Sequence, residues 1–335
     1  MNNKLTPSKI AFLAFLIIGT LYILGNQKPY ISNSGKIFGT FYNITYSSDK
    51  NLHDVIKKTL LKVDNSLSPF NKESVISAIN NNTGTDTDSM FTHVFTLAQE
   101  VSAKTDGAFD ITVAPLVNAW GFGFKKGFTP DSTSIDSLRQ YVGYGTVTLT
   151  DGKIAKLHPQ TMLDCSAIAK GYGCDAVAAV LEANGIKNYM VEIGGEVVTK
   201  GKNNKGGAWT IGISKPTDNP TTTSNELHEI IAISGKSMAT SGNYRNFREV
   251  NGRKIAHTID PRTGYPVQHS LLSATVIAED CATADAYATA FMVMGVEDAV
   301  SYCSHNNIEA YFIYSDNDGR MKTEITEGFR KYLKK

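Results

Sequence analysis

The alternation of apolar and polar positions along the chain predicts a mixture of helices and strands. Apolar residues recur at helical spacing over residues 51–64, which indicates an amphipathic helix. Further helices are predicted over residues 92–104, 174–184 and 281–294, the last two followed by Gly185 and Gly295, a residue type that favours helix ends. Strands are predicted over residues 36–46, 189–193, 209–213, 229–233, 272–277 and 310–314.

These elements follow one another without a regular strand–helix–strand rhythm. The order therefore predicts an α+β fold rather than a doubly wound parallel sheet. Residues 118–150 are rich in glycine, aromatic and polar residues, and we interpret them as loops with short strands. No internal repeat or obvious linker divides the chain, so we expect a single mixed body over residues 36–335.

The N-terminus has the pattern of a targeting or membrane segment. Lys4 and Lys9 precede an apolar run over residues 10–24, typical of a signal peptide or a short membrane anchor. Gly25-Asn26-Gln27 is a poor cleavage site, so we favour an uncleaved anchor over residues 10–25, after a short basic segment at 1–9. Residues 26–35 would be a linker. The expected location is the inner membrane, with the body on the periplasmic side.

Composition and charge exclude few functions. The chain has 335 residues, 41% of them hydrophobic, and a formal net charge of +1 without a long basic run, so we do not expect a nucleic-acid partner. The four cysteines, Cys165, Cys174, Cys281 and Cys303, form no CxxC pair, which argues against a structural zinc site. An exported location permits disulfides, and buried thiols are the alternative.

Asp285 and Thr289 are the most informative pair of residues. Their spacing places a carboxylate and a hydroxyl on one face of the predicted helix 281–294, about 6 Å apart. The surrounding residues are alanines and other apolar types, where a carboxylate needs a cation or a hydrogen-bond partner. Two oxygen ligands suit Mg²⁺. The alternative is an exposed helix face with an aspartate near the helix N-terminus.

Two further segments have candidate chemistry. Lys170-Gly171 opens the helix that runs on through residue 174, and a lysine at such a helix start can receive a phosphate; the alternative is a surface lysine. His257 and Asp260 flank a predicted strand end, where His257 is a natural proton acceptor or a member of a structural pair.

Taken together, the motifs of the chain resemble the ApbE family of FAD:protein FMN transferases. The resemblance covers about residues 36–330 and keeps the family order. It is carried by Phe38-Gly-Thr40, Ser66-Leu-Ser-Pro-Phe70, Asp106-Gly-Ala-Phe-Asp110, Trp120-Gly-Phe-Gly123, Asp164 to Gly171, Gly194-Gly195, Ala239-Thr-Ser-Gly242, His257 to Gly264 and Ala284 to Thr289.

The resemblance implies an Mg²⁺-dependent enzyme that moves the FMN half of FAD to a threonine of a target protein and releases AMP. Asp285 would then be catalytic through the metal, and His257 would be the base, with Asp260 as the alternative. The implied metal ligands are Asp285, Thr289 and the carbonyl groups of Ala167 and Ala288. The implied FAD-binding residues are Phe38, Phe70, Ala108, Phe109, Asp110, Asp164, Lys170 and His257.

With the predicted anchor, the resemblance suggests that the acceptors are exported domains of membrane-bound electron-transfer proteins. One alternative is an Mg²⁺-dependent FAD pyrophosphatase, in which water replaces the protein hydroxyl. A second is a flavin-binding protein that keeps FAD intact, and a third is an exported structural domain without enzymatic activity.

Overall fold

The computed structural model describes residues 6–25, 28–125, 130–216, 226–243, 247–250 and 253–334. In these residues the helices are α1 (Pro7–Gly25), α2 (His53–Leu67), α3 (Val75–Asn80), α4 (Ser89–Lys104), α5 (Ala114–Ala119), α6 (Ser132–Arg139), α7 (Ala169–Ala183), α8 (Cys281–Met294) and α9 (Val296–Asn306). The strands are β1 (Tyr30–Ile37), β2 (Thr40–Ser47), β3 (Val147–Thr150), β4 (Lys153–Lys156), β5 (Tyr189–Ile193), β6 (Glu196–Lys200), β7 (Trp209–Ser214), β8 (Leu227–Ile233), β9 (Ser237–Gly242), β10 (Phe247–Val250), β11 (Arg253–Ala256), β12 (Leu271–Ala278), β13 (Glu309–Ser315) and β14 (Met321–Ile325).

An antiparallel sheet of eight strands organises the described residues. Its order is β1-β2-β5-β6-β9-β12-β13-β14, and every neighbouring pair is antiparallel. Helices are segregated from this sheet rather than alternating with its strands, so the predicted α+β class is confirmed at the level of a mixed α/β fold.

Side chains of the sheet enter hydrophobic clusters on both of its faces. On one face, strand residues such as Ile44 and Val191 pack with Val177 and Leu181 of α7 and with Ile56 of α2. Helix α8 continues this layer over β12 and β13. On the other face, the hairpin of β7 and β8 and the 3₁₀ helix Glu327–Tyr332 bury their apolar residues against β6, β9, β12 and β13. The sheet thus lies between two layers.

Helices α7 and α8 come into backbone contact at Gly171. A Cβ atom at Gly171 would lie 2.7 Å from the carbonyl carbon of Cys281 and 2.9 Å from Ala282 Cα. Ordinary contacts of a Cβ atom begin near 3.4 Å. Only glycine therefore permits this approach, which joins the start of α7 to the start of α8.

Several predicted elements are confirmed. The strand over 189–193 is β5, and the helix over 281–294 is α8, both with the predicted bounds. The helices expected over 51–64 and 92–104 are α2 and α4.

The single strand predicted over residues 36–46 is wrong. The chain turns at Phe38 and Gly39, whose φ angles are 49° and 72°, and this turn separates β1 from β2. Two successive positive φ angles are typical of the tight turns that connect antiparallel strands. The alternation of residue types continues through the turn, which is why the pattern alone suggested one strand. Residues 30–35, predicted as part of a linker, lie in β1.

Helix α6 was not predicted, because residues 118–150 were interpreted as loops with short strands. Only Ile135 of this short helix is buried, so its apolar pattern is weak. The local signal is its N-cap, since Asp131 Oδ1 accepts a 2.8 Å hydrogen bond from the Ser134 amide.

The N-terminal apolar segment forms α1, but the membrane anchor predicted there is not supported. Among the residues that the structure describes, no helix combines the length and the apolar character needed to cross a membrane. Residues 1–5, 26 and 27 lie outside the described residues.

The four cysteines are buried as free thiols. The disulfides that an exported location would permit are therefore not formed in this structure.

The contact at Gly171 predicts a specific stability change. Alanine normally favours a helix interior over glycine by ~1 kcal/mol, yet Gly171→Ala should lower the free energy of unfolding by about 2 kcal/mol, because the added methyl group overlaps backbone atoms of α8. Urea denaturation measures this difference. Gly145→Ala is the control, since no atom lies within 4 Å of its Cβ position. Equal stability of the two variants would contradict the close contact.

Candidate functional site

The starts of α7 and α8 bring the predicted metal ligand Asp285 next to the predicted phosphate-binding lysine. Asp285 is 2% exposed, and its Oδ2 accepts a 3.0 Å hydrogen bond from the Gly171 amide. Gly171 is the third residue of α7, where backbone amides have no partner within the helix, so this amide is available to Asp285. Ala167 lies two residues before α7, and the assignment of its carbonyl as a metal ligand stays a prediction.

Lys170 forms an ion pair with a residue that the sequence analysis did not select. Its Nζ lies 2.5 Å from Glu196 Oε1, and Glu196 is 2% exposed. The other oxygen, Oε2, is buried and has no hydrogen-bond partner among the described residues. Glu196 directly follows Gly194 and Gly195, which turn the chain from β5 into β6 with φ angles of 68° and 111°. This polar residue after a glycine pair was the available sequence signal.

Thr289 lies one turn after Asp285 in α8, as predicted, and is partly buried. Its Oγ1 is 3.1 Å from Ser241 Oγ in β9, within hydrogen-bond distance. Ala288 is buried within α8, so its carbonyl lies inside a helical turn. Its assignment as a metal ligand stays a prediction.

The charges at this junction affect one another. Burial raises the pKa of Glu196 to about 7, against the lowering effect of Lys170. Burial also raises the pKa of Asp285, again opposed by Lys170 and by the Gly171 amide. For Lys170, burial alone would lower the pKa, but the two carboxylates raise it above its ordinary value. One ammonium group, bonded to Glu196 alone, therefore stands against two buried carboxylates, an arrangement that favours an additional cation.

The donor set fits Mg²⁺ rather than a softer metal. Asp285, Thr289 and the Ala167 carbonyl offer only oxygen atoms, and Mg²⁺ usually takes one or two carboxylates and completes its shell with water and phosphate oxygens. Among the described residues there is no group of three or more His, Cys, Asp or Glu side chains able to hold a metal. The protein alone thus supplies a partial ligand set.

Asp175 holds the start of α8 and was also missed by the sequence analysis. Its carboxylate accepts hydrogen bonds from the Cys281 amide at 2.9 Å and the Ala282 amide at 2.8 Å. These amides belong to the first turn of α8, where the helix dipole also favours a negative charge. Burial nevertheless raises the pKa of Asp175 to about 7. A side chain of α7 thereby fixes the helix that contains Asp285 and Thr289.

The second group of predicted residues surrounds the loop over residues 106–112. Asp110 is buried and accepts 2.7 Å hydrogen bonds from the amide and the hydroxyl of Thr112, while burial raises its pKa to about 6. The Asp164 amide donates to the Ile111 carbonyl at 2.7 Å, which brings the two predicted FAD-binding segments together. Ala108 and Phe109 lie in the core, so only their backbone can contact a ligand.

The aromatic positions fall into two places. Phe38 packs on α7, where its Cε2 would be only 2.8 Å from a Cβ atom at Gly173. Phe70 is 66% exposed and makes an edge contact with Phe124 at a centroid distance of 6.1 Å. The ring of His257 makes a similar contact with Phe122 at 6.3 Å. Phe70 and His257 therefore flank the same short aromatic segment.

Asp260, the alternative base, is already engaged. Its Oδ1 accepts from the Arg262 amide and Nε, both at 2.9 Å, and its Oδ2 accepts from Arg262 Nη2 at 3.0 Å. A carboxylate held in this way closes a turn. The assignment of His257 as the base stays a prediction.

Comparison with known proteins shows the family to which this fold belongs. The model of the ApbE family matches residues 38–312 of the chain. The chain belongs to the ApbE family. A protein of Haemophilus influenzae named FAD:protein FMN transferase is 39% identical, over 90% of this chain and 91% of its own length. A protein of Vibrio cholerae with the same name is 36% identical, over 94% and 97%.

Solved structures of ApbE proteins have the same architecture. The flavin transferase ApbE of Vibrio cholerae superposes with a TM-score of 0.81 and 34% identity, covering 91% of this chain and 99% of that one. The apo form of the flavinyl transferase ApbE of Pseudomonas stutzeri gives a TM-score of 0.82 at 30% identity, covering 92% and 98%. The predicted family resemblance is confirmed, and with it the assignment as a transferase.

The contacts of Asp175 predict that it stabilises the fold. At pH 5, below the pKa of about 7, Asp175→Ala should lower the free energy of unfolding by about 2 kcal/mol, because the Cys281 and Ala282 amides lose their acceptor. Urea denaturation followed by circular dichroism measures the effect. Asp136→Ala in α6 is the control, since that carboxylate is 72% exposed and its pair with Arg139 spans 3.8 Å. A variant as stable as the control would rule out this role.

Proposed function

We propose that this ApbE protein transfers the FMN half of FAD to a threonine hydroxyl of a target protein, with Mg²⁺ bound at the junction of α7 and α8. One observation carries the proposal. The buried carboxylate of Asp285 accepts a 3.0 Å hydrogen bond from the Gly171 amide, and Lys170 directly precedes Gly171 in the chain. A buried acid and a cationic side chain at a helix start are suited to a metal-bound pyrophosphate.

The residues that would hold the metal are Asp285, Thr289 and the Ala167 carbonyl, with the Ala288 carbonyl as a further prediction. When bound there, Mg²⁺ neutralises phosphate charge and orients the leaving group. The chain's own contribution is positional: Asp175 and Gly171 fix α8 against α7, and Ser241 holds the Thr289 side chain by a hydrogen bond.

The transfer is a displacement at the phosphorus of the FMN half. The threonine oxygen of the acceptor forms a bond to that phosphorus, and the bond from phosphorus to the oxygen bridging to AMP breaks. AMP leaves with the bridging oxygen, and the threonine proton passes to a base. His257 is the proposed base, since both oxygens of Asp260 are bound to Arg262. Lys170 would balance the charge of the pyrophosphate.

The proposed FAD site extends from the metal junction to the aromatic segment. Asp164 and Asp110 belong to adjoining loops, and Phe70 offers an exposed ring for stacking on one of the two ring systems of FAD. We expect the acceptor to be an electron-transfer subunit that binds FMN covalently. Its association with the membrane and the periplasmic location of this enzyme stay predictions.

The metal role of Asp285 predicts a large kinetic effect. Asp285→Asn should lower the rate of FMN transfer at least about a hundredfold, since a metal-binding charge is lost. Removal of Mg²⁺ with EDTA should do the same to the native protein. Release of AMP from FAD measures the rate. Asp151→Asn is the control, because Asp151 is an exposed turn residue with a φ of 50°, a conformation that asparagine adopts readily.

A second experiment distinguishes transfer from hydrolysis. The protein is incubated with FAD and Mg²⁺, with and without an extract of the cells that produce it, and the proteins are separated on a denaturing gel. Transfer predicts flavin fluorescence on a protein band and an FMN-modified threonine in its peptides. Release of AMP and free FMN without a labelled band would instead support the pyrophosphatase, and intact FAD would support a flavin carrier.

A further inference from the structure

Lys170 has two carboxylates in its surroundings and bonds to only one of them. Its Nζ is 2.5 Å from Glu196 Oε1, and among the described residues no other carboxylate lies within the ion-pair distance of 4.0 Å. Asp285 is nevertheless close enough for its charge to act on Lys170. The lysine ammonium is therefore bonded to β6, and Asp285 acts on it through its charge without a direct ion pair.

Asp285 receives a neutral donor instead. The Gly171 amide, on the residue next to Lys170, donates to Asp285 Oδ2 at 3.0 Å. A backbone amide stabilises a carboxylate without cancelling its charge, whereas an ammonium group in direct contact would neutralise it. The structure thus separates the two possible partners of Asp285 and gives it the one that leaves its charge available.

We infer that Glu196 is a positioning residue that holds the Lys170 ammonium away from Asp285, so that the Asp285 carboxylate stays available to the divalent cation. This inference rests on the proposed function, since it concerns the same metal. It assigns a task to a residue outside the predicted ligand and FAD-binding sets. Glu196 acts on the metal only through Lys170 and contacts neither metal nor substrate.

The surroundings of Glu196 leave it no other evident task. Its side chain is 2% exposed, and Oε2 has no hydrogen-bond partner among the described residues. A buried carboxylate with one unbonded oxygen is costly, so the position is tolerable mainly because Lys170 compensates it. Glu196 is the first residue of β6, paired with Ile193 of β5, and the sheet therefore fixes where the ammonium is held.

A neutral side chain at position 196 should change the partner of Lys170. The lysine would keep its charge beside Asp285 but lose its bond to a carboxylate. The nearest remaining negative group would be Asp285, and an ion pair between the two would compete with Mg²⁺. The loss of Glu196 should therefore weaken metal binding even though Glu196 is not a ligand.

The test is a titration of Mg²⁺ into the full-length protein without FAD, followed by calorimetry. Glu196→Gln should raise the Kd for Mg²⁺ about tenfold, as is typical when a partner outside the ligand set is lost. The matched control is Glu182→Gln. Glu182 of α7 and Lys200 of β6 connect the same two elements by an ion pair of 2.6 Å between Oε1 and Nζ, but both side chains are nearly half exposed. The Kd of Glu182→Gln for Mg²⁺ should equal that of the native protein.

The double variant Lys170→Met/Glu196→Gln separates positioning from direct ligation. With the competing ammonium removed, Asp285 is available again, and the affinity for Mg²⁺ should return to the native value. A double variant as weak as Glu196→Gln would mean that Glu196 acts on the metal itself, and the inference would be wrong. Native affinity in Glu196→Gln alone would overturn it as well.

Lys170→Met alone covers the case in which Glu196→Gln does not fold, as judged by circular dichroism. This single variant should bind Mg²⁺ at least as tightly as the native protein, and tenfold weaker binding would contradict the inference. Failure of the native protein to bind Mg²⁺ would remove both the inference and the proposed metal. Native binding with unchanged variants would reject only the role of Glu196.

Discussion

The contact between the start of α7 and the start of α8 is the constraint on which the candidate site depends. Gly171 lets the two backbones approach closely enough for its amide to reach Asp285 at 3.0 Å. Asp175, one turn further along α7, accepts the amides of Cys281 and Ala282. Two residues of one helix thus fix the position of a carboxylate on another.

Charge is distributed around this contact in an ordered way. The sheet contributes Glu196, α7 contributes Lys170, and α8 contributes Asp285, so each of three packed elements supplies one charged group. The group as a whole has one more negative than positive charge when both acids are ionised. Such a site is prepared for a cation before any substrate arrives, and burial makes each interaction stronger than it would be in water.

Local sequence pattern predicted the elements that have clear boundaries. Helix α8 has an N-cap at Asp280 and a terminating Gly295, and β5 has alternating burial, so both were predicted with their bounds. The hairpin at Phe38 and Gly39 was missed because strand-like residues continue through the turn.

The candidate site was only partly predictable, because its decisive contacts are not local. Asp285 and Lys170 were selected from helix spacing and family resemblance. Asp175 bonds to Cys281 and Ala282, which lie 106 and 107 positions further along the chain. Glu196 bonds to Lys170, which is 26 positions away. Spacing along a chain does not show which of its many carboxylates will be buried together. That information exists only once β6, α7 and α8 have packed.

The burial of helix α8 limits which substitutions its sequence can tolerate in evolution. Of its 14 residues, ten are buried, with alanine at many of the contact positions. A larger side chain at such a position would collide with a neighbouring element, and a polar one would lack a partner. Helix α8 therefore offers almost no surface on which neutral substitutions could accumulate.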